Sequence, residues 1–335
     1  MHPDSFLISK QNWDRFLKEI INENDLCAPL ESEGNNEYQL IQEEKDISRI
    51  VYNHPKPTSP LKTFFLPVKE NVTIDHSNQK LRIILGVPSC DLAGLGLLDE
   101  MYLQEPLVDP YYQSRRENTL LIGTDCHSTL EHCHCTSYGI NPFPEVNFDL
   151  GLVRLDDQFY VYTGSEKGKA FINRYRDAGF FSPVNGEAEK KADAYRERTI
   201  EELKEKNSGL PGYEKTGELI RESGEEIWKK YSRTCVSCGA CATICPTCTC
   251  FLLIDRTGFE KVRNLDACQY PGFERVAAGE DPLGERHIRF RNRYLCKYVW
   301  KPQGFESIAC TGCGRCIEAC IGKINKNELF EELSA

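Results

Sequence analysis

The chain has no apolar run approaching the ~18 residues that a membrane-spanning helix needs, so nothing in it reads as a span. Its first residues, MHPDSFLISKQNW, carry neither a basic n-region nor an apolar h-region, and no secretory signal is expected. An excess of positive charge is missing too. With 41 Lys and Arg against 51 Asp and Glu, the formal net charge is −10, which argues against general nucleic-acid binding. No G-x-G-x-x-G follows a strand-like run, no G-x4-G-K-[ST] occurs, and AGLG at 93–96 is too slight to cradle a dinucleotide. Neither a Ser-His-Asp arrangement nor H-E-x-x-H stands out. A nucleotide cofactor, if one serves this protein, is expected on another polypeptide.

What the chain has in abundance is cysteine: 17 in 335 residues. The number is odd and the spacing clustered. That fits metal or redox chemistry in a reducing compartment better than a disulfide framework. Residues 235–250 read CVSCGACATICPTCTC, six cysteines in sixteen positions. Four of them, Cys235, Cys238, Cys241 and Cys245, followed by Pro246, have the spacing C-x2-C-x2-C-x3-C. Cys310, Cys313, Cys316 and Cys320 repeat it, with Ile321 in place of the proline. This is the bacterial ferredoxin run, in which three thiolates of one loop hold a [4Fe–4S] cluster and the fourth crosses to the other cluster. The expected ligand sets are Cys235, Cys238, Cys241 and Cys320 for one cluster, and Cys310, Cys313, Cys316 and Cys245 for the second. Zinc sites take two Cys pairs and need no third cysteine at this spacing. Gly239, Gly312 and Gly314 lie inside the loops, where the backbone must bend closely around sulfur.

Residues 10–22 place Trp13, Phe16, Leu17, Ile20 and Ile21 on one face of a helix. Strand-like runs follow at 38–42, 48–53, 63–68, 81–87 and 119–125, with a helix at 91–103 between the last two. Strand, helix, strand predicts a parallel crossover unit. Residues 148–164 read as a hairpin turning at Asp156-Asp157, and 168–179 as a helix ending at Gly179. The segment 185–230 is rich in Glu, Lys, Arg and Ala and predicts a charged linker with helical stretches. The expected fold class is α+β: an N-terminal α/β domain over 1–184, the linker over 185–230, and a helical, ferredoxin-like dicluster domain over 231–335. The long, helix-like spacer between Cys245 and Cys310 points to that helical type instead of the small ββ type.

Cys90 follows the run 81–87, and Cys126 follows 119–125. If those strands are parallel neighbours, both cysteines emerge at the carboxyl edge, where open α/β sheets form their ligand sites. Cys133 and Cys135 can fold back, so Cys90, Cys126, Cys133 and Cys135 are candidates for a third [4Fe–4S] cluster. Asp91 or Asp125 is an alternative oxygen ligand. His127, His132 and His134 interleave with the thiols and keep zinc open. Cys248, Cys250, Cys268 and Cys296 are left over, either as another metal site or as small residues buried beside a cluster. Arg286, Arg289, Arg291, Arg293 and Lys297 are expected to form a solvated face or to pair with acids, in preference to a docking surface.

The segments GVPSCDLAGL, DCHSTLEHCHC, CVSCGACATICPTCTCF, DACQYPGFERVAAG, RFRNRY and CTGCGRC, in this order, resemble a family of four-iron dicluster proteins. That family includes an iron–sulfur component of anaerobic sulfite reductase and the beta subunit of soluble, sulfhydrogenase-type NiFe hydrogenases. The quartets are generic, whereas PTCTCF, DACQYPGF and the CD…C…C-x-C set are more specific. The family commonly has His-Lys where this chain has Cys296-Lys297. The resemblance implies an electron-transfer component of a cytoplasmic anaerobic oxidoreductase complex, not catalytic alone. It implies FAD or FMN on a partner, a flavin- and [2Fe–2S]-containing reductase subunit linked to NAD(P)H or ferredoxin. It also implies a catalytic partner of NiFe-hydrogenase or sirohaem sulfite-reductase type. Two other readings stay open on the residues alone: a self-contained iron–sulfur enzyme with a catalytic N-terminal cluster, and a zinc and cluster binding module.

Overall fold

A computed structural model describes residues 4–73 and 80–335. Its strands are β1 (Ser5–Ser9), β2 (Asp25–Ser32), β3 (Asn35–Leu40), β4 (Lys69–Asn71), β5 (Arg82–Pro88), β6 (Thr119–Thr124), β7 (Leu150–Leu155), β8 (Gln158–Thr163), β9 (Ser182–Pro183), β10 (Phe251–Asp255) and β11 (Lys261–Leu265). Eight of them form one sheet in the order β3-β2-β5-β6-β7-β8-β1-β9. β2, β5, β6 and β7 run parallel at its centre. The other pairs, β2 with β3, β7 with β8, β8 with β1 and β1 with β9, are antiparallel.

The central runs are apolar throughout because both faces are covered. Along β5, Ile83 and Leu85 enter one core and Ile84 the other, as the two-residue period of a strand requires. Helix Lys10–Glu23 covers the first face with Trp13, Phe16, Leu17 and Ile20. Ser9 caps it by accepting from Asn12 N at 3.2 Å. The second face is covered by Leu92, Leu95 and Leu98 of helix Ser89–Tyr102, and by Ala188 and Ala192 of helix Gly186–Lys206. The parallel crossover from β5 to β6 and the β7–β8 hairpin stand where the sequence predicts them, with Asp156 in the left-handed region at φ +51°.

Several elements differ from expectation. The runs 48–53 and 63–68 are not strands: Ile50 makes only an isolated bridge, and Leu61–Phe64 is a 3-10 turn. Pro55, Pro57, Pro60 and Pro67 withdraw the donors that a ladder would need there. Residues expected as a charged linker form helices Gly186–Lys206, Tyr213–Glu222 and Glu225–Tyr231, which bury Ala192, Leu203, Ile220 and Trp228. The spacer after Cys245 opens not with a helix but with the hairpin β10–β11, to which β4 adds a third strand. Helix Arg286–Leu295 follows and continues as a π-helical turn over Cys296–Trp300.

A third core, of Trp228, Phe290, Tyr294, Tyr298, Leu329 and Phe330, holds the C-terminal helices together. Tyr138 joins it from the N-terminal half, its hydroxyl 3.0 Å from that of Tyr298. That contact anchors the loop carrying Cys133 and Cys135 against the cysteine-rich segment. Among the described residues, no helix is long and apolar enough to cross a membrane.

Candidate metal centres

Gly239 and Gly314 take left-handed φ values of +72° and +76°, and each opens a four-residue helix, Ala240–Thr243 and Arg315–Glu318. These two short helices pack against each other. Cys235, Cys238, Cys241 and Cys320 consequently line one cavity. Cys245, Cys310 and Cys313 line the next, and Cys316 is on the wall of both. The last cysteine of each run thus faces the cavity of the other run. Backbone amides approach the sulfurs: Ser237 N donates to Cys235 Sγ and Ile324 N to Cys320 Sγ, each at 3.4 Å.

The N-terminal thiols gather for a topological reason. Pro88 of β5 is in register with Thr124 of β6, so Cys90 and Cys126, two residues further on, leave the carboxyl edge side by side. The loop bearing Cys133 and Cys135 returns to line the same cavity, and Cys313 of the second run also borders it. The two loops touch closely. A Cβ on Gly312 would lie 2.6 Å from Cys135 Cα, and His134 N donates to Gly312 O at 2.8 Å. Lys56 reaches in, its Nζ donating to Cys133 Sγ at 3.8 Å and to Glu318 Oε1 at 2.8 Å.

The oxygen and nitrogen alternatives are engaged elsewhere. Asp91 binds the Arg315 guanidinium at 2.6 and 2.9 Å, and Asp125 accepts from Arg196 at 2.6 Å. His127 stacks on Tyr195, and burial pushes its pKa down to about 4. His134 has Nδ1 2.7 Å from His132 O and Nε2 2.8 Å from Lys326 Nζ. The ammonium can only donate, so the ring's proton sits on Nδ1. Burial and the neighbouring Lys326 charge hold that ring well below its ordinary pKa. Among the described residues, no three His, Cys, Asp or Glu side chains converge as ligands of a single ion do. The thiols instead ring open spaces.

Cations crowd these spaces, and here the sequence expectation needs correction. Arg289, Arg293 and Lys297, four residues apart, are not a solvated face; all three are buried. Lys297 Nζ donates to Cys245 Sγ at 3.1 Å and to Thr247 Oγ1 and Ala309 O at 2.8 Å each. Burial opposes its charge, but the thiols of Cys245, Cys248 and Cys310 outweigh burial and hold the ammonium well above its usual pKa. Arg293 donates to Cys241 O at 3.0 Å and borders both quartet cavities. Its Nε, like Thr311 Oγ1 on the second cavity's wall, is buried without a hydrogen-bond partner. Thiols around each space, unspent donors and nearby cations fit an anionic, thiolate-held cluster. The four-residue spacing of Arg289, Arg293 and Lys297 was the available signal that this helix turns its charge inward.

Residues 234–324 match the profile of the 4Fe-4S dicluster domain. The fold therefore carries, near its C-terminus, an iron–sulfur module of the dicluster class. Sulfhydrogenase 2 subunit beta of Pyrococcus furiosus is 32% identical over 311 residues, which span 89% of this chain and 90% of that protein. The chain belongs to the family of sulfhydrogenase beta subunits. A chain of the F420-reducing [NiFe] hydrogenase complex from Methanosarcina barkeri aligns with a TM-score of 0.40 at 11% identity, over 62% of this chain and 90% of that one, too distant to bear on function.

Proposed function

We propose that this chain is the electron relay of a hydrogenase-type complex, passing single electrons between a reductase partner that contains flavin and [2Fe–2S] and a partner that performs catalysis. Cys235, Cys238, Cys241 and Cys320 would hold one [4Fe–4S] cluster, Cys245, Cys310, Cys313 and Cys316 a second, and Cys90, Cys126, Cys133 and Cys135 a third. The observation that carries the reading is contiguity. Cys316 borders the first and second cavities, and Cys313 the second and third, so the three thiol sets form one unbroken run. Family membership supports it further, since the relative is itself named as one subunit of a sulfhydrogenase.

Each cluster, when bound, supplies a one-electron couple whose potential the surroundings tune. The chain's own groups do the tuning. Lys297, Arg293 and Lys56 bring positive charge to the thiols, and the Tyr138–Tyr298 contact closes the core beside them. The test is reconstitution of the anaerobically purified chain with a flavoprotein reductase and a hydrogenase catalytic subunit. Electrons should pass from NAD(P)H to the catalytic subunit only when this chain is present. Preparations that are colourless, iron-free and silent by low-temperature paramagnetic resonance after dithionite would overturn the reading. So would substrate turnover by the isolated chain.

A further inference from the structure

Of the 17 cysteines, the three sets above leave Cys248, Cys250, Cys268 and Cys296, together with Cys27, which is buried in β2. The four are far apart in sequence, yet the fold gathers them. The β10–β11 hairpin pairs Phe251 with Leu265, and Asp266 N donates to Cys250 O at 2.8 Å. Cys250 and Cys268 therefore meet across the open end of the hairpin, with their thiols hydrogen-bonded to each other. Cys248, two residues earlier, has its carbonyl held by the buried Lys62 Nζ at 2.9 Å, and its thiol is hydrogen-bonded to that of Cys245.

Cys296 arrives from the other side. It opens the π-helical turn Cys296–Trp300, and such turns concentrate at functional sites because the extra residue re-aims the side chains around it. Lys297 of this turn and Lys301 just after it bond Thr247, at its hydroxyl and its carbonyl, each at 2.8 Å. The turn therefore lies along the segment that carries Cys248, and Cys296 acts electrostatically on Cys250. Around the four thiols stand buried donors. Gln269 Nε2 points at Cys268 Sγ from 3.8 Å and is fixed by Arg289 O at 2.8 Å. Mere packing explains a lone buried cysteine, but Cys248, Cys250 and Cys296 are all partly exposed. Four soft thiols in one place, bordered by cations, select zinc or an iron–sulfur centre. As at the other three sets, they do not close on a single-ion point.

We propose that Cys248, Cys250, Cys268 and Cys296 hold a fourth iron–sulfur cluster. The Cys248–Cys245 contact joins it to the second cluster, so it extends the relay instead of standing apart from it. The position of this neighbour rests on the reading given above, whereas the ligand set of the fourth centre does not.

The experiment is metal and acid-labile sulfide analysis of the full chain, purified and reconstituted anaerobically, with paramagnetic resonance of the reduced protein. The unaltered chain should hold about sixteen irons and as many sulfides, and Cys268→Ser about twelve, the remaining cluster signals being kept. Cys250→Ser with Cys268→Ser should lose no more than either alone, because one centre is removed once. Cys27→Ser should lose nothing. If Cys268→Ser proves insoluble, Cys296→Ser at its partly exposed position reads the same loss. An unaltered chain stopping at about twelve irons, a Cys268→Ser or Cys296→Ser chain with undiminished iron, or zinc lost in place of iron would each overturn the fourth centre. The first two results would leave the three-cluster relay intact, whereas a chain without iron would remove both.

Discussion

Arg315 and Asp91 form a buried ion pair that ties the second cysteine run to the N-terminal cysteine set. Arg315 stands between Cys313 and Cys316, Asp91 directly follows Cys90, and the pair meets at 2.6 and 2.9 Å. The remaining bonding capacity is spent as well: Arg315 Nε and Nη2 donate to Pro57 O at 3.0 and 2.9 Å, and Asp91 Oδ2 accepts from Leu61 N at 3.1 Å. Removing one member of such a pair leaves a buried charge uncompensated, at a cost of about 3–5 kcal/mol.

Arg315→Met should therefore lower the thermal midpoint of the holoprotein clearly. The double change Arg315→Met with Asp91→Asn should recover part of the loss, since no bare charge remains. Melting curves of the single, paired and unaltered chains, taken anaerobically, decide it. A single variant as stable as the unaltered chain would show that the pair joins the two halves without holding them.

The N-terminal thiols should act as one set. Cys126→Ser and Cys133→Ser are each expected to remove about four irons while sparing the quartet clusters. Iron analysis beside the resonance spectrum of the reduced protein checks this. If iron content is unchanged, these cysteines ligate nothing.

How legible this arrangement was depended on what kind of signal each part left in the chain. Helix Lys10–Glu23, β5 and β6 follow from apolar periodicity and from runs buried on both faces. The gathering of Cys90 and Cys126 follows from those same strands, because parallel neighbours deliver consecutive residues to one edge. Helix Gly186–Lys206 reads as a linker because small residues, Ala188 and Ala192, make its contact with the sheet, and its charge dominates the composition. β10 leaves no strand signal because its four successive apolar residues stay exposed and so show no alternation. Lys297 reads as solvated because a charge is assumed so until its partner is seen, and its partner is a thiol fifty-two residues away. Cys250 and Cys268 likewise meet only through strand pairing, which no local spacing encodes.

Gly312 and Gly139 offer a controlled comparison. Both have positive φ, +66° and +75°. A Cβ on Gly312 would strike the backbone of Cys135 at 2.6 Å, whereas one on Gly139 meets nothing within 4 Å. Gly139→Ala should thus cost only the left-handed penalty of about 1–2 kcal/mol. Gly312→Ala adds displacement of the Cys133–Cys135 loop and should also reduce the iron held by the N-terminal set. Iron content and melting of the two variants separate strain from displacement. Equal effects would mean that the close approach of the two loops plays no part in building the third site.

Lys297 sets a sign that a redox titration can read. Its ammonium, 3.1 Å from Cys245 Sγ and buried, favours the more negative, reduced state of whatever cluster Cys245 helps to hold. Lys297→Met keeps an unbranched side chain of similar bulk and removes the charge, so reduction becomes harder and the midpoint potential falls. A hydrogen bond to a charged group is worth about 1.5–3 kcal/mol, and for one electron each tenfold change is about 59 mV, so a fall on the order of 60–130 mV is expected. Lys301→Met is the control. Lys301 donates to Thr247 O at 2.8 Å and to Met101 Sδ at 3.8 Å, but to no cysteine thiol among the described residues, so its loss should move the potential much less. The measurement is a titration followed by paramagnetic resonance, which resolves the cluster whose signal shifts. A potential that stays put or rises in Lys297→Met would mean that burial has neutralised the ammonium, leaving Lys297 a packing group beside Thr247 and Ala309.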